Sequence, residues 1–437
     1  MQSPVGVVPG AGVTTSQSPP FAVPMRYMLL GVLGFGVFAV DFALQSRSLA
    51  QGVPGAANVV ALTHALTLGA LLSFVMGAVY QLTTVAFLVP ISSVPAARWN
   101  FWLYLLAFIG LFVSMVTWWG IGLFVFGLCM VAAVYIYATV LIVSLLRTKI
   151  RGPMFGFVVS AHGYLILAVT VALLLVLADS GAVPGLDMWM GPLIATHILL
   201  AMGGYFTFLV MGFSLKLLPM FTLSHGFSTG RQKWTLTLAH VALWVVLVGI
   251  WTHLNAFLWA GSAFGVAAFV SQIADMRGII QKRMRKRVEP PIRAVVAAGV
   301  GGVLGLCLFA ERVFWTGGEA GWQGVVMFYL LGVVTLTVMA FAYKIVPFLV
   351  WSKRYSKTPG KGKPTLISDL INVNQSWPVL TAFGVGLVAL TAAAAGRWQP
   401  GVIGSCILLS LAIAAFCVQI LRVLEVTKLR RELFEHD

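Results

Sequence analysis

Twelve long apolar runs, parted by short polar loops, constrain this chain more than anything else in it. They cover 26–46, 57–90, 99–118, 121–146, 154–178, 192–221, 234–252, 254–275, 294–315, 321–350, 377–396 and 401–421. Each is long enough to cross the roughly 30 Å of a bilayer's hydrocarbon core. Only 9% of the 437 residues are charged and mean hydropathy is +0.97, against about 25% charged in a soluble domain. The fold expected is therefore all-α: a polytopic membrane bundle of about 12 transmembrane helices. The 45 glycines and 14 tryptophans suit close helix packing and interfacial anchoring. Residues 1–24, rich in Gly, Pro, Ser and Val and without charge, read as a disordered tail. No basic segment precedes an apolar core there, so they are not read as a signal peptide. The membrane domain is expected over 25–425, with a short cytoplasmic tail at 426–437.

A net charge of +16 would suit a nucleic-acid binder if it were clustered on a polar domain. Instead the basic residues fall in alternate loops, the positive-inside pattern, which argues for the lipid bilayer as partner and against nucleic acid. Of the 28 Lys and Arg, only Arg47, Arg312 and Arg397 fall on the outer side. The other loops carry Arg26, Arg98, Arg147, Lys149, Arg151, Lys216, Arg231, Lys233, Arg277, Lys282, Arg283, Arg285, Lys286, Arg287 and Arg293. Lys344, Lys353, Arg354, Lys357, Lys361, Lys363, Arg422, Lys428, Arg430 and Arg431 complete that set. Both termini are thus expected to be cytoplasmic, in a cell membrane and in a bacterium. The run QKRMRKR at 281–287 reads as an orientation signal and lipid-facing anchor, with a specific anionic-lipid or protein site as the alternative.

Three of the runs share a layout. His64–Pro90, His197 within Thr196–Gly226, and Met327–Trp351 each open on a polar or soft side chain and end in YQLTTVAFLVP, LKLLPMFTL and YKIVPFLVW. The endings align at Thr84, Pro219 and Pro347. These are spans 2, 6 and 10, four apart. The expectation is three pseudo-symmetric arcs of four helices, with His64, His197 and Met327 at similar depth in the outer third.

The candidate chemistry is carried by histidine. An unshielded imidazole is costly in hydrocarbon and usually has a partner. His64, His197 and His253, the last in Trp251-Thr252-His253, all fall in the outer half. Imidazoles at one depth are what a haem iron or copper site requires; the bland reading of His253 is an interfacial residue. His162 and His240, nearer the inner side, read either as core histidines bonded to backbone carbonyls or as an inner metal or proton site. His225 reads as a solvated interface residue, and His436 lies in the tail. Met327 is core filler or a soft ligand. Asp41 pairs plausibly with Arg47 and supports no mechanism. Arg397, beside Trp398 between the last two spans, is either an ordinary interfacial residue or a partner for an anionic group such as a haem propionate. The four cysteines read as packing residues. No Walker, GxSxG, CxxC zinc or HExxH pattern occurs.

The layout resembles the heme-copper oxidase subunit I superfamily, including its small NnrS-like branch tied to nitric oxide and copper. The resemblance covers nearly the whole chain by layout. It matches His64 to the second-span axial ligand of a low-spin haem and His197 to a sixth-span copper ligand. Trp251-Thr252-His253 matches the seventh-span Trp-x-His-His, with Leu254 in place of the second histidine. Arg397 occupies the loop whose arginines bind haem propionates. Departures are equally specific. The tenth-span His-x-His is replaced by Val325 and Met327, the sixth-span tyrosine by Ala201, and no match is expected for the family's acidic and Lys-lined proton paths. The resemblance thus implies the scaffold without a complete binuclear centre, and neither oxygen reduction nor proton pumping is expected.

Three functional readings follow. One is a haem b protein with His64 and Met327 as ligands and Arg397 on a propionate, serving electron transfer or nitric oxide binding, with redox or assembly partner subunits. The second is copper or other metal binding or transport through His64, His197 and His253. The third is a transporter or assembly factor without a cofactor.

Overall fold

The computed structural model describes residues 17–51, 56–315, 319–355 and 366–425. Residues 1–16 and 426–437 of the two tails lie outside these, as do Lys357, Lys361, Lys363, Lys428, Arg430, Arg431 and His436. Among the described residues there is no strand, and twelve helices are long and apolar enough to span a membrane. They are α1 (Ala22–Leu44), α2 (Ala57–Phe87), α3 (Val94–Thr117), α4 (Gly120–Leu146), α5 (Pro153–Asp179) and α6 (Leu186–Thr222). After them come α7 (Gln232–Thr252), α8 (Asn255–Gln281), α9 (Pro290–Val313), α10 (Gly324–Arg354), α11 (Val373–Ala395) and α12 (Gln399–Leu424). The protein is therefore an all-α, multi-pass membrane bundle.

Local chemistry sets many of the boundaries. Ser93 caps α3 by accepting the Ala96 amide at 3.2 Å, with Pro95 in the first turn, where its missing N–H costs nothing. Pro153 and Pro400 begin α5 and α12 in the same way. The helices α2 and α6 both stop on a leucine in the left-handed conformation, Leu88 (φ 52°) and Leu223 (φ 56°), at matching places in the repeat.

The three repeat helices form the centre. In α2, α6 and α10, 61%, 67% and 83% of the apolar stretch is buried, against 33–50% in the other nine. Helix α1 packs on both α2 and α12, which closes the ring of helices. Its approach to α2 is close enough to need glycine. A Cβ on Gly34 would run into the Gly69 carbonyl, so the two backbones pack directly, as small residues allow in membranes.

Each repeat helix is also interrupted by a π-helical stretch: Ala65–Leu72, Leu199–Phe206 and Leu330–Thr335. Such a widened turn frees a carbonyl, and a hydroxyl five residues on takes it up in all three cases. Ser73 donates to the Leu68 carbonyl at 2.8 Å, Thr207 to Met202 at 2.7 Å, and Thr335 to Leu330 at 2.9 Å. π-Helical turns are rare and concentrate at functional sites, so a threefold recurrence deep in the bundle marks these segments.

A buried ion pair helps tie the basic loops to the bundle. Lys344 of α10, 8% exposed at its side chain, bonds Glu289, which precedes α9 and also pairs with Arg285. The Lys344 ammonium sits 5.3 Å from the Phe221 ring centre at the end of α6.

Candidate functional site

The π-helical stretches of α2 and α6 begin directly at the two histidines. His64 is the cap residue before Ala65, and His197 lies two residues before Leu199. The structure brings their rings together, with centroids 6.2 Å apart and planes within 15° of parallel. Both residues are half-buried.

Each ring is held by its Nδ1. His64 Nδ1 meets the Val60 carbonyl at 2.8 Å, one turn back in its own helix. His197 Nδ1 meets the Ala168 carbonyl of α5 at 2.9 Å. A carbonyl only accepts, so each Nδ1 carries the hydrogen. In the neutral ring Nε2 then keeps its lone pair. Neither Nε2 has a hydrogen-bond partner among the described residues. An imidazole oriented through Nδ1–H on a carbonyl, with Nε2 open, has the outer-shell support that metal-binding histidines carry.

At a centroid separation of 6.2 Å the two rings are close enough for one metal ion, with metal–nitrogen distances of about 2.0–2.1 Å, to be shared between them. Among the described residues no group of three or more His, Cys, Asp or Glu is placed to hold a metal. The donors on offer are thus two imidazoles, not a closed protein cage.

The other expected site residues lie elsewhere. His253 is exposed and caps the end of α7 in the left-handed conformation, φ 56°. Its neighbour Trp251 is the part of that motif near the pair: its indole N–H donates to Thr196, the residue before His197, at 3.0 Å. Met327 is half-buried against the core of α10, two residues before Tyr329, whose hydroxyl meets that of Thr207 at 2.6 Å. Arg397 is exposed on the turn between α11 and α12, with φ 52°, and makes no hydrogen bond to either imidazole. His225 is exposed, as a solvated interface residue would be.

Toward the basic end lies a second polar cluster that the sequence reading did not anticipate. The rings of Tyr27 and Tyr80 are 5.6 Å apart, and those of Tyr80 and Tyr137 5.4 Å. All three side chains are fully buried. His162 Nδ1–H donates to the Val158 carbonyl at 2.7 Å, so its Nε2 accepts from the Tyr137 hydroxyl at 3.3 Å. The Tyr205 hydroxyl lies 3.3 Å from that of Tyr137. Tyr104 donates to the Leu68 carbonyl at 2.7 Å, which joins this cluster to the π-helical stretch of α2. His240 likewise uses both nitrogens, on the Tyr164 hydroxyl at 2.6 Å and Ser160 at 3.2 Å. The signal available in the sequence was six tyrosines inside apolar runs on six different spans.

No protein-family model matches this chain, and no curated protein matches it either.

Proposed function

We propose that this chain is a membrane haem protein in which His64 and His197 would hold one b-type haem, serving electron transfer. The observation that carries this reading is the pair itself: near-parallel rings 6.2 Å apart, each held through Nδ1. The residues fit the group by their chemistry. The pair gathers no third protein ligand among the described residues, which would suit a porphyrin, since it brings four nitrogens of its own. When bound, the haem would supply a one-electron couple. The chain's own part is to fix both rings by the Val60 and Ala168 carbonyls, make both nitrogens more basic, and exclude water with the surrounding bundle. His197, not Met327, would be the second protein ligand, and a haem held by two imidazoles would favour electron transfer over nitric oxide binding.

A two-coordinate copper(I) ion is the second reading. The observation favouring it is that the pair recruits no third protein ligand among the described residues, and copper(I) would need none. The test is one preparation of the full-length chain from haem-supplied cells, analysed by reduced-minus-oxidised absorption and by metal content. The haem reading expects a sharp reduced α-band, lost in both His64→Ala and His197→Ala. A colourless protein with one copper, lost in the same variants, selects copper. A colourless, metal-free protein refutes both and leaves a cofactor-free transporter or assembly factor.

A further inference from the structure

A second candidate site lies at the basic end, at the opposite end of the bundle from His64 and His197 and independent of them. A cavity of about 280 Å³ opens between the start of α7 and the end of α8, with Ser228, Arg231, Asp275, Arg277 and Gln281 in its wall.

Its charges are arranged in two layers. At the base is Asp275, the one buried carboxylate among the described residues. A carboxylate inside a membrane helix is expensive and is retained where it has a partner. Here the protein supplies only long contacts. The Thr235 hydroxyl is 3.4 Å from Oδ2 and is shared with Ser271 at 2.7 Å. The Arg231 guanidinium stands 3.9 Å from Oδ1, with its side chain 52% exposed. The rim is cationic: Arg231 and the exposed Arg277, flanked by Ser228 and Gln281. The base thus suits a small hydrogen-bonding cation, and the rim suits an anion next to it.

We propose that this cavity binds the phosphoethanolamine headgroup of a phospholipid in the leaflet at the basic end. The ammonium sits on Asp275 and the phosphate on Arg231 and Arg277. A primary ammonium has three hydrogens to give and completes the coordination of Asp275, and a guanidinium fork matches a phosphate. A trimethylammonium has no hydrogen to donate and is bulkier, so choline lipids fit less well. A glycerol headgroup brings no cation and leaves Asp275 facing the phosphate. The helix termini at this cavity lie where a bilayer's headgroups would be, and the exposed apolar side chains Trp234 of α7 and Val270 of α8 give the acyl chains a surface.

The test is native mass spectrometry of the delipidated full-length protein, titrated with phosphatidylethanolamine, phosphatidylcholine, phosphatidylglycerol and soluble phosphoethanolamine. The expected result is an about tenfold preference for phosphatidylethanolamine over phosphatidylcholine, the size of one charge-assisted hydrogen bond. Asp275→Asn abolishes that preference while residual lipid binding persists. Arg277→Gln, an exposed change that does not endanger folding, weakens all three lipids alike. Equal binding of the ethanolamine and choline lipids overturns the proposal, as does a preference for phosphatidylglycerol. So does an unaltered preference in Asp275→Asn. Soluble phosphoethanolamine binding as tightly as the lipid would assign the site to a free solute and overturn the lipid assignment.

Discussion

His64 and His197 sit toward one end of the bundle and His162 and His240 toward the other, and the two pairs treat their nitrogens differently. In the first pair a carbonyl takes Nδ1–H and Nε2 is left open. In the second, both nitrogens are spent, on a carbonyl and Tyr137 for His162 and on Tyr164 and Ser160 for His240. Two neighbouring imidazoles that each keep Nε2 open offer lone pairs to something the protein does not itself supply. A site that saturates them is a packing solution. The same residue type leaves one nitrogen open in the first layer and spends both in the second, and hydrogen-bond accounting separates the two.

This contrast predicts that changes at the two layers move different observables. The largest effect is on cofactor content. His64→Ala or His197→Ala should lower haem or metal occupancy by about 100-fold or more, beyond the 10–100-fold typical of outer-shell changes, while thermal stability of the apo form stays close to wild type. His253→Ala should leave occupancy unchanged. If His253→Ala empties the site as well, the pair is not the whole ligand set.

Breaking the ion pair beneath the basic loops should do the reverse. Lys344→Ala leaves Glu289 without its buried partner. It should cost about 3 kcal/mol, the low end for such a pair because Glu289 is partly exposed. Denaturation in mild detergent would read this, with the absorption spectrum unaltered until unfolding.

Gly34→Ala joins the two layers. The new methyl meets the Gly69 carbonyl inside the π-helical stretch that begins at His64. Overpacking of this kind costs about 1–3 kcal/mol. Both melting temperature and occupancy should fall, and a loss of stability with full occupancy would uncouple the helix contact from the histidine. The smallest effect is at Tyr137→Phe, which removes the hydroxyl that His162 Nε2 accepts from. About 1 kcal/mol of stability should be lost, with no spectral change. A shifted α-band there would draw the phenol cluster into the cofactor's environment.

Much of this was legible in the chain itself. Twelve apolar runs set the helices because lipid offers a backbone no other partner, and the aligned endings at Thr84, Pro219 and Pro347 picked out the three central helices. The meeting of His64 with His197 was not legible. In a helix that is apolar all round, periodicity does not fix which way a residue faces. The π-helical stretches lie beside both histidines, and their trace in the sequence was small: the hydroxyls Ser73, Thr207 and Thr335, within one residue of matching places. The placing of His253 was not legible for a different reason. Its motif sits at a helix end, and histidine tolerates the left-handed cap conformation well enough to close α7 there, which leaves the ring exposed.

The account rests on His64 and His197 sharing one metal. Electron paramagnetic resonance of the oxidised, ¹⁵N-histidine-labelled full-length protein tests that most directly, with nitrogen couplings resolved at the metal. The account predicts a low-spin iron signal coupled to two histidine nitrogens, reduced to at most one in either alanine variant. A metal-loaded protein showing a single histidine coupling, or two couplings that survive His197→Ala, would contradict it.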